Sequence, residues 1–191
     1  LLLLLPAALA LAVPPPDAAW APLHDGPVTI VCVTAADGPW CRASATVTAP
    51  PATIAELLAS YDRHTEVFHS VSELVELAPG LLHIVLDYPS PLADRDYVAS
   101  FTRVDEADRT VFRWQAATHP GAPPVDGRVR LEHTAGEWRL SPAGAHTQVE
   151  YVWQADIGAS MPAWIQARAR KMTGEMVLGD LAKGAGASLL P

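Results

Sequence analysis

Arg95-Asp96-Tyr97-Val98, Gly127-Arg128-Val129-Arg130, Gly136-Glu137-Trp138-Arg139-Leu140, Thr147-Gln148-Val149-Glu150-Tyr151-Val152-Trp153 and Pro162-Ala163-Trp164 follow one another between Tyr88 and Trp164, and their reading decides the fold. The clearest segment is Thr147 to Ala155. Val149, Tyr151, Trp153 and Ala155 alternate onto one face, and Val152 alone breaks the polar other face. That period of two marks a strand buried on one side, and it makes Tyr151 and Trp153 the inward candidates. Tyr97–Val104, Thr110–Ala116, Gly127–Leu131 and Trp138–Leu140 also read as strands, the first two separated by the acidic turn Asp105-Glu106-Ala107-Asp108.

Working outward, Val71, Leu74, Val75 and Leu77 end at Pro79-Gly80, and Leu81–Leu86 is a short, mostly buried strand. Further upstream, Val28–Val33 and Cys41–Thr48 form a hairpin around Ala35-Ala36-Asp37-Gly38. Ala49-Pro50-Pro51 stops the sheet, and Ile54, Leu57, Leu58 and Tyr61 share one face of a helix that starts at Pro51 or Thr53. About eight strands joined by turn signals predict an antiparallel meander. The last element is a long helix with Ser160 as N-cap and Pro162 in the first turn; Ile165, Ala169, Met172, Met176 and Leu181 recur at near-helical spacing. Gly174 and Gly179 lower its propensity by about 1 kcal/mol each relative to Ala. The expected class is α+β: a curved antiparallel sheet wrapped around a long C-terminal helix, with an internal hydrophobic tunnel between them.

The chain has 191 residues, half of them apolar and 18% charged, which suits one globular domain. A net charge of -8 makes the chain a poor candidate for a nucleic-acid partner, because phosphate binding needs clustered Lys and Arg. It also argues against purely electrostatic attachment to an anionic membrane. The run Leu1–Val13 has the length of a secretory h-region and is too short to span a bilayer. With neither Met nor basic residues before it, it reads as a signal peptide missing its start. Ala10-Leu11-Ala12 and Ala19-Trp20-Ala21 are cleavage candidates, and no Cys adjoins them for a lipoprotein anchor. Residues 1–19 are expected to be signal peptide and linker, residues 20–187 the folded domain, and the location periplasmic or secreted. The linker itself is read over residues 13–27. Cys32 and Cys41 fall opposite each other across the hairpin; they form either a disulfide or two buried thiols.

The ordered segments resemble one family, the START lipid-transfer domain, named for the steroidogenic acute regulatory protein and part of the birch-pollen-allergen-like (SRPBCC) superfamily. Arg95-Asp96-Tyr97-Val98 resembles its most recognisable segment. The Gly127–Arg130 strand, the Thr147–Trp153 strand and the Asp156-Ile157-Gly158 lead into Pro162-Ala163-Trp164 follow in the family's order. The resemblance covers roughly residues 20–185 and is dense from about Ser70. It implies the helix-grip fold and non-catalytic carriage of one lipid, sterol-like or acyl-chain, in the tunnel. The loop His119–Gly127 and the final helix would form a lid. It further implies an acid and base pair in the tunnel, Glu73 with Arg95, as an alternative to a structural ion pair or two solvated side chains.

Trp114, Tyr151 and Trp153 are candidate lipid contacts, as are Met172 and Met176 on the helix; core packing is the competing explanation for each. Arg168, Arg170 and Lys171 form a small basic cluster that would meet lipid headgroups or simply face solvent. No cofactor or metal is called for: the seven histidines are scattered, and His-Glu-x-x-His, Gly-x-Ser-x-Gly and phosphate-loop motifs are missing from the sequence. The expected partners are a hydrophobic small molecule or lipid and, transiently, a membrane; the expected state is a monomer. Two other functions stay open, a polyketide cyclase or aromatase on the same fold and a ligand-sensing or scaffolding module.

Overall fold

The computed structural model describes residues 12–88, 93–154 and 162–191. In chain order the elements are β1 (Ala21–His24), β2 (Thr29–Ala35), β3 (Gly38–Val47), α1 (Pro51–Ala59), α2 (His64–Val67), β4 (Val71–Ala78), β5 (Leu81–Leu86), β6 (Arg95–Asp105), β7 (Thr110–Ala117), β8 (Val129–Arg130), β9 (Ala135–Ala143), β10 (His146–Gln154) and α3 (Ala163–Gly184). All ten strands join one sheet in the order β1-β2-β3-β10-β9-β7-β6-β5-β4, with β8 beside β6. The sheet is curved and grips α3, the helix-grip architecture expected from the strand pattern. The β3–β4 connection carries α1 and α2 from one side of the sheet to its far edge. Short hairpin turns join β2 to β3, β4 to β5, β6 to β7 and β9 to β10, whereas β3–β10 and β7–β9 pair strands distant in sequence.

Alternation assigns the two faces. Trp114 pairs with Phe101 and Gly136, Trp138 pairs with Tyr151, and Trp153 pairs with Cys41. Directly paired residues point to the same side, so these line the concave face. There they pack against Ile54, Leu57 and Leu58 of α1 and Leu178 and Leu181 of α3 in one core. Val152 belongs to a second, smaller cluster on the convex face, with Trp40 and Ala135. Val13 and Trp20 cover it, and Trp20 lies 4.8 Å from the Arg42 guanidinium.

Three expectations are corrected here. The supposed linker 13–27 contains β1, an edge strand paired with β2 from Ala21↔Cys32 to His24↔Ile30. The Gly127–Leu131 strand shrinks to the two residues of β8 and runs parallel to β6, so the sheet is not a pure meander. Of the stripe Ile165, Ala169, Met172, Met176 and Leu181, only Leu181 is fully buried. Gly174, Leu178, Asp180, Leu181 and Ala182 are the buried positions of α3, while Met172 and Met176 face outward. Small residues set the true packing face: a Cβ on Gly174 would stand 2.7 Å from Ile30 Cδ1 and 3.1 Å from the Ala43 Cβ. The helix can therefore lie directly on β2 and β3. The Ser160 cap and Ala155 lie outside the described residues.

The Cys32–Cys41 alternative resolves as a disulfide, with the two residues directly paired in the hairpin. At the other end, α3 is held by its last turns. The Asp180 carboxylate accepts from the His69 backbone N–H (3.0 Å) and from His69 Nδ1 (2.6 Å). Beyond the helix, the Ser188 and Leu190 backbone N–H groups donate to Thr48 Oγ1 (3.0 Å) and Thr46 O (2.9 Å).

Asp96, on the convex side of β6, is fully buried. It accepts two bonds from Arg130, Nε to Oδ1 at 3.0 Å and Nη2 to Oδ2 at 2.6 Å, and one from His83 Nε2 at 2.8 Å. Arg130 also donates to Ala122 O and Pro123 O, which fastens the His119–Gly127 loop to the sheet. Burial would raise the Asp96 pKa, but the Arg130 and His83 hydrogen bonds outweigh it and hold the carboxyl below its ordinary value. Its folded-state pKa is thus the lower one. The pair stabilises fully above the unfolded carboxylate range and loses that contribution as pH falls through the folded value. Asp96→Asn should cost about 3–5 kcal/mol by stranding the Arg130 charge. Urea unfolding at pH 7 measures this, and the gap between variant and parent should narrow in acid below about pH 4.

Candidate functional site

A layer of rings covers the concave face. Phe101 and Trp114 stack at 6.2 Å, Trp114 and Tyr151 at 5.6 Å, and Tyr151 and Trp153 at 4.9 Å; Trp138 tilts against Tyr151 at 4.4 Å. Phe68 and Tyr61 extend the layer under α1. The register makes room for it. Gly136 lies between Trp114 on β7 and Trp153 on β10, and a Cβ there would collide with the Trp114 indole and with Val152 O.

The rings leave a partly open cavity of about 100 Å³ beside α3. Trp114, Tyr151, Trp153, Leu86 and Leu131 supply its apolar wall. Tyr88, Arg95, Tyr97, Thr134, Gln154 and Thr173 bring polar atoms to it. This is smaller than the ~300–1,000 Å³ that holds a drug-sized ligand. The protein's own rings fill the concave face, and the tunnel expected there is reduced to this small cavity.

Three of the seven candidate contacts line the cavity as wall residues, Trp114, Tyr151 and Trp153, and Arg95 joins them. Arg95 is only 4% exposed; its guanidinium lies 4.4 Å above the Tyr88 ring, and Nη1 donates to Ala93 O. The structure does not bring Glu73 to it. Glu73 stands on the edge strand β4, its side chain 55% exposed, and accepts from Arg128 Nη2 at 2.6 Å. Irregular pairing at both ends of β4, near Val71/Glu73 and Glu76/Ala78, breaks the alternation that an inward reading of Glu73 needs. Met172 and Met176 are 56% and 40% exposed and do not line the cavity; Thr173, between them, does.

Sequence reasoning missed Tyr97, Tyr88, Thr134, Gln154 and Thr173. Tyr97 carried a usable signal, being two residues from Arg95 on one strand. Burial raises the phenol pKa of Tyr151, Tyr97 and Tyr88, and Arg95 opposes the rise at Tyr88. The phenols therefore stay protonated at neutral pH and act as hydrogen-bonding groups. Among the described residues no three His, Cys, Asp or Glu side chains converge as a metal site.

Residues 18–179 match the START domain. The chain belongs to the START family. A STAR-related lipid transfer protein from Xanthomonas axonopodis superposes with a TM-score of 0.73, at 22% identity over 87% of this chain and 98% of that one. Human STARD10 superposes with a TM-score of 0.75 at 15% identity, covering 94% of this chain and 82% of that one. These likenesses establish the fold. An uncharacterized protein of Pseudomonas aeruginosa is 36% identical over 81 residues, which is 42% of this chain and 40% of that protein's length. START membership makes this a hydrophobic-ligand-binding domain.

Gly136→Ala should push the Trp114 ring into the cavity. Overpacking of this kind costs about 1–3 kcal/mol, so the thermal midpoint should fall and the indole emission should shift in the same variant.

Proposed function

We propose that this START domain carries a single lipid through water without chemically changing it. The observation that carries the reading is an aromatic-walled, partly open cavity bounded on one side by a helix whose fully buried positions all lie in its C-terminal half. Between Ala163 and Thr173 no residue of α3 is buried, whereas Gly174, Leu178, Asp180, Leu181 and Ala182 are. The N-terminal half can lift while the C-terminal half holds, and Thr173 marks the boundary at the cavity. On opening, the rings separate and their faces pass from one another to the ligand. A lipid burying several hundred Å² would gain several kcal/mol at ~25 cal/mol per Å², less its ordering cost. The neutral phenols support binding rather than proton transfer.

The same helix half offers a surface for membrane contact. Trp164, Arg168, Met172 and Met176 recur every fourth residue and so share one face, and Trp164 is 68% exposed. Of the basic cluster, Lys171 pairs with Glu175 at 3.6 Å and Arg170 donates to Gln166 at 2.9 Å, leaving Arg168 within the apolar stripe. Indole and thioether groups suit the headgroup boundary, and the arginine suits anionic lipid. The Cys32–Cys41 disulfide supports an oxidising location, periplasmic or secreted.

Mass spectrometry of the protein purified from its native host should find a lipid at near one per chain. A chain that carries no lipid and cyclises or dehydrates an aromatic polyketide would replace this reading with an enzymatic one. The double variant Trp164→Ser, Met172→Ser should lose about a hundredfold or more in binding to anionic phosphatidylglycerol vesicles, since the two side chains together would contribute at least about 3 kcal/mol of apolar burial. Its affinity for lipid in solution should not change, because neither residue lines the cavity.

A further inference from the structure

Arg95 sets a stricter condition on the ligand than hydrophobicity does. Its guanidinium is always charged, and a buried charge costs several kcal/mol unless an opposite charge or full hydrogen bonding compensates it. Here the compensation is incomplete. Nη1 donates to Ala93 O, the Tyr88 ring covers one face, and Nε is buried with no acceptor. Among the described residues no carboxylate lines the cavity, and Glu73 is committed to Arg128 at the sheet edge. The residues facing Arg95 across the cavity bring phenols, the hydroxyls of Thr134 and Thr173, and the Gln154 amide, none of which carries charge.

We infer that the ligand supplies the missing anion: the cavity takes an amphiphile with an acidic oxygen head, a long-chain carboxylate, whose head accepts from Arg95 while its chain lies among Trp114, Tyr151 and Trp153. This rests on the carrier reading and narrows it. The buried guanidinium gives a carboxylate a charge-assisted hydrogen bond that an alcohol or sterol hydroxyl cannot match. A single acyl chain also needs less displacement of the stacked rings than a rigid fused-ring body does.

Titration of the lipid-free protein with palmitate, 1-hexadecanol and cholesterol, followed by tryptophan fluorescence and calorimetry, tests it. Palmitate should bind about tenfold or more tighter than hexadecanol, the gain expected of a hydrogen bond to a charged group. Arg95→Gln should erase that preference by bringing palmitate down to the affinity of hexadecanol. Should this variant fail to fold by circular dichroism, the comparison of ligands on the parent protein decides alone. Hexadecyl phosphate binding more tightly than palmitate would keep the acidic head and make it a phosphate monoester. Hexadecanol or cholesterol binding as tightly as palmitate would overturn the inference while leaving the carrier intact. Failure of all four to bind would overturn both.

Discussion

The structure depends on a mismatch of widths. A ten-stranded sheet that curves far enough to bury one face encloses more volume than a single helix can fill. In this chain rings make up the difference. They come from β6, β7 and β10 in a register that lets each lie on the next, from Phe101 through Trp114 and Tyr151 to Trp153, with Trp138 of β9 tilted against Tyr151. Gly136 is the point where that register needs no side chain at all. A filling made of stacked planes differs from an aliphatic jigsaw. Rings can part along their faces and close again at small cost in rotamer strain, because each turns about few torsions.

That property connects the core to the function. Where packing is interlocked, at Gly174, Leu178 and Leu181 against β2, β3 and α1, the molecule has its permanent centre. Where packing is planar, beside the loosely seated half of α3, it has its adjustable one. The charges are divided the same way. Asp96 and Arg130 satisfy each other on the convex side and fasten a loop, whereas Arg95 on the concave side has no carboxylate partner among the described residues. Two arginines on neighbouring parts of one sheet thus differ: the fold satisfies one, and the other is buried with its Nε lacking an acceptor.

Much of this was legible in the residues. The alternation Val149-Tyr151-Trp153 placed the correct face inward, the hairpin turn at Ala36-Asp37 placed Cys32 against Cys41, and Pro51 opened α1 as its position implies. The errors have physical causes. β1 has an irregular pairing between Pro22 and His24, so composition alone suggested a linker. α3 hides its contact face in glycine, alanine and aspartate, and puts its methionines outside. A stripe drawn through the large apolar residues therefore follows the wrong side. Glu73 was assigned inward from a resemblance, on a strand whose bulges remove the parity that could have checked it. The Asp96–Arg130 pair joins residues distant in sequence and carries no local signal.

Glu73 nevertheless has a use where it stands. β4 is the last strand in the sheet order, and its outer rim bears Ser72, Glu73 and Glu76 in exposed positions, with Arg128 clasping Glu73. An unpaired rim of backbone donors and acceptors invites a second copy to zip on as an extra strand. Carboxylates along that rim would confront carboxylates on the newcomer. The acidic border thus disfavours fibre-like stacking of one copy on another.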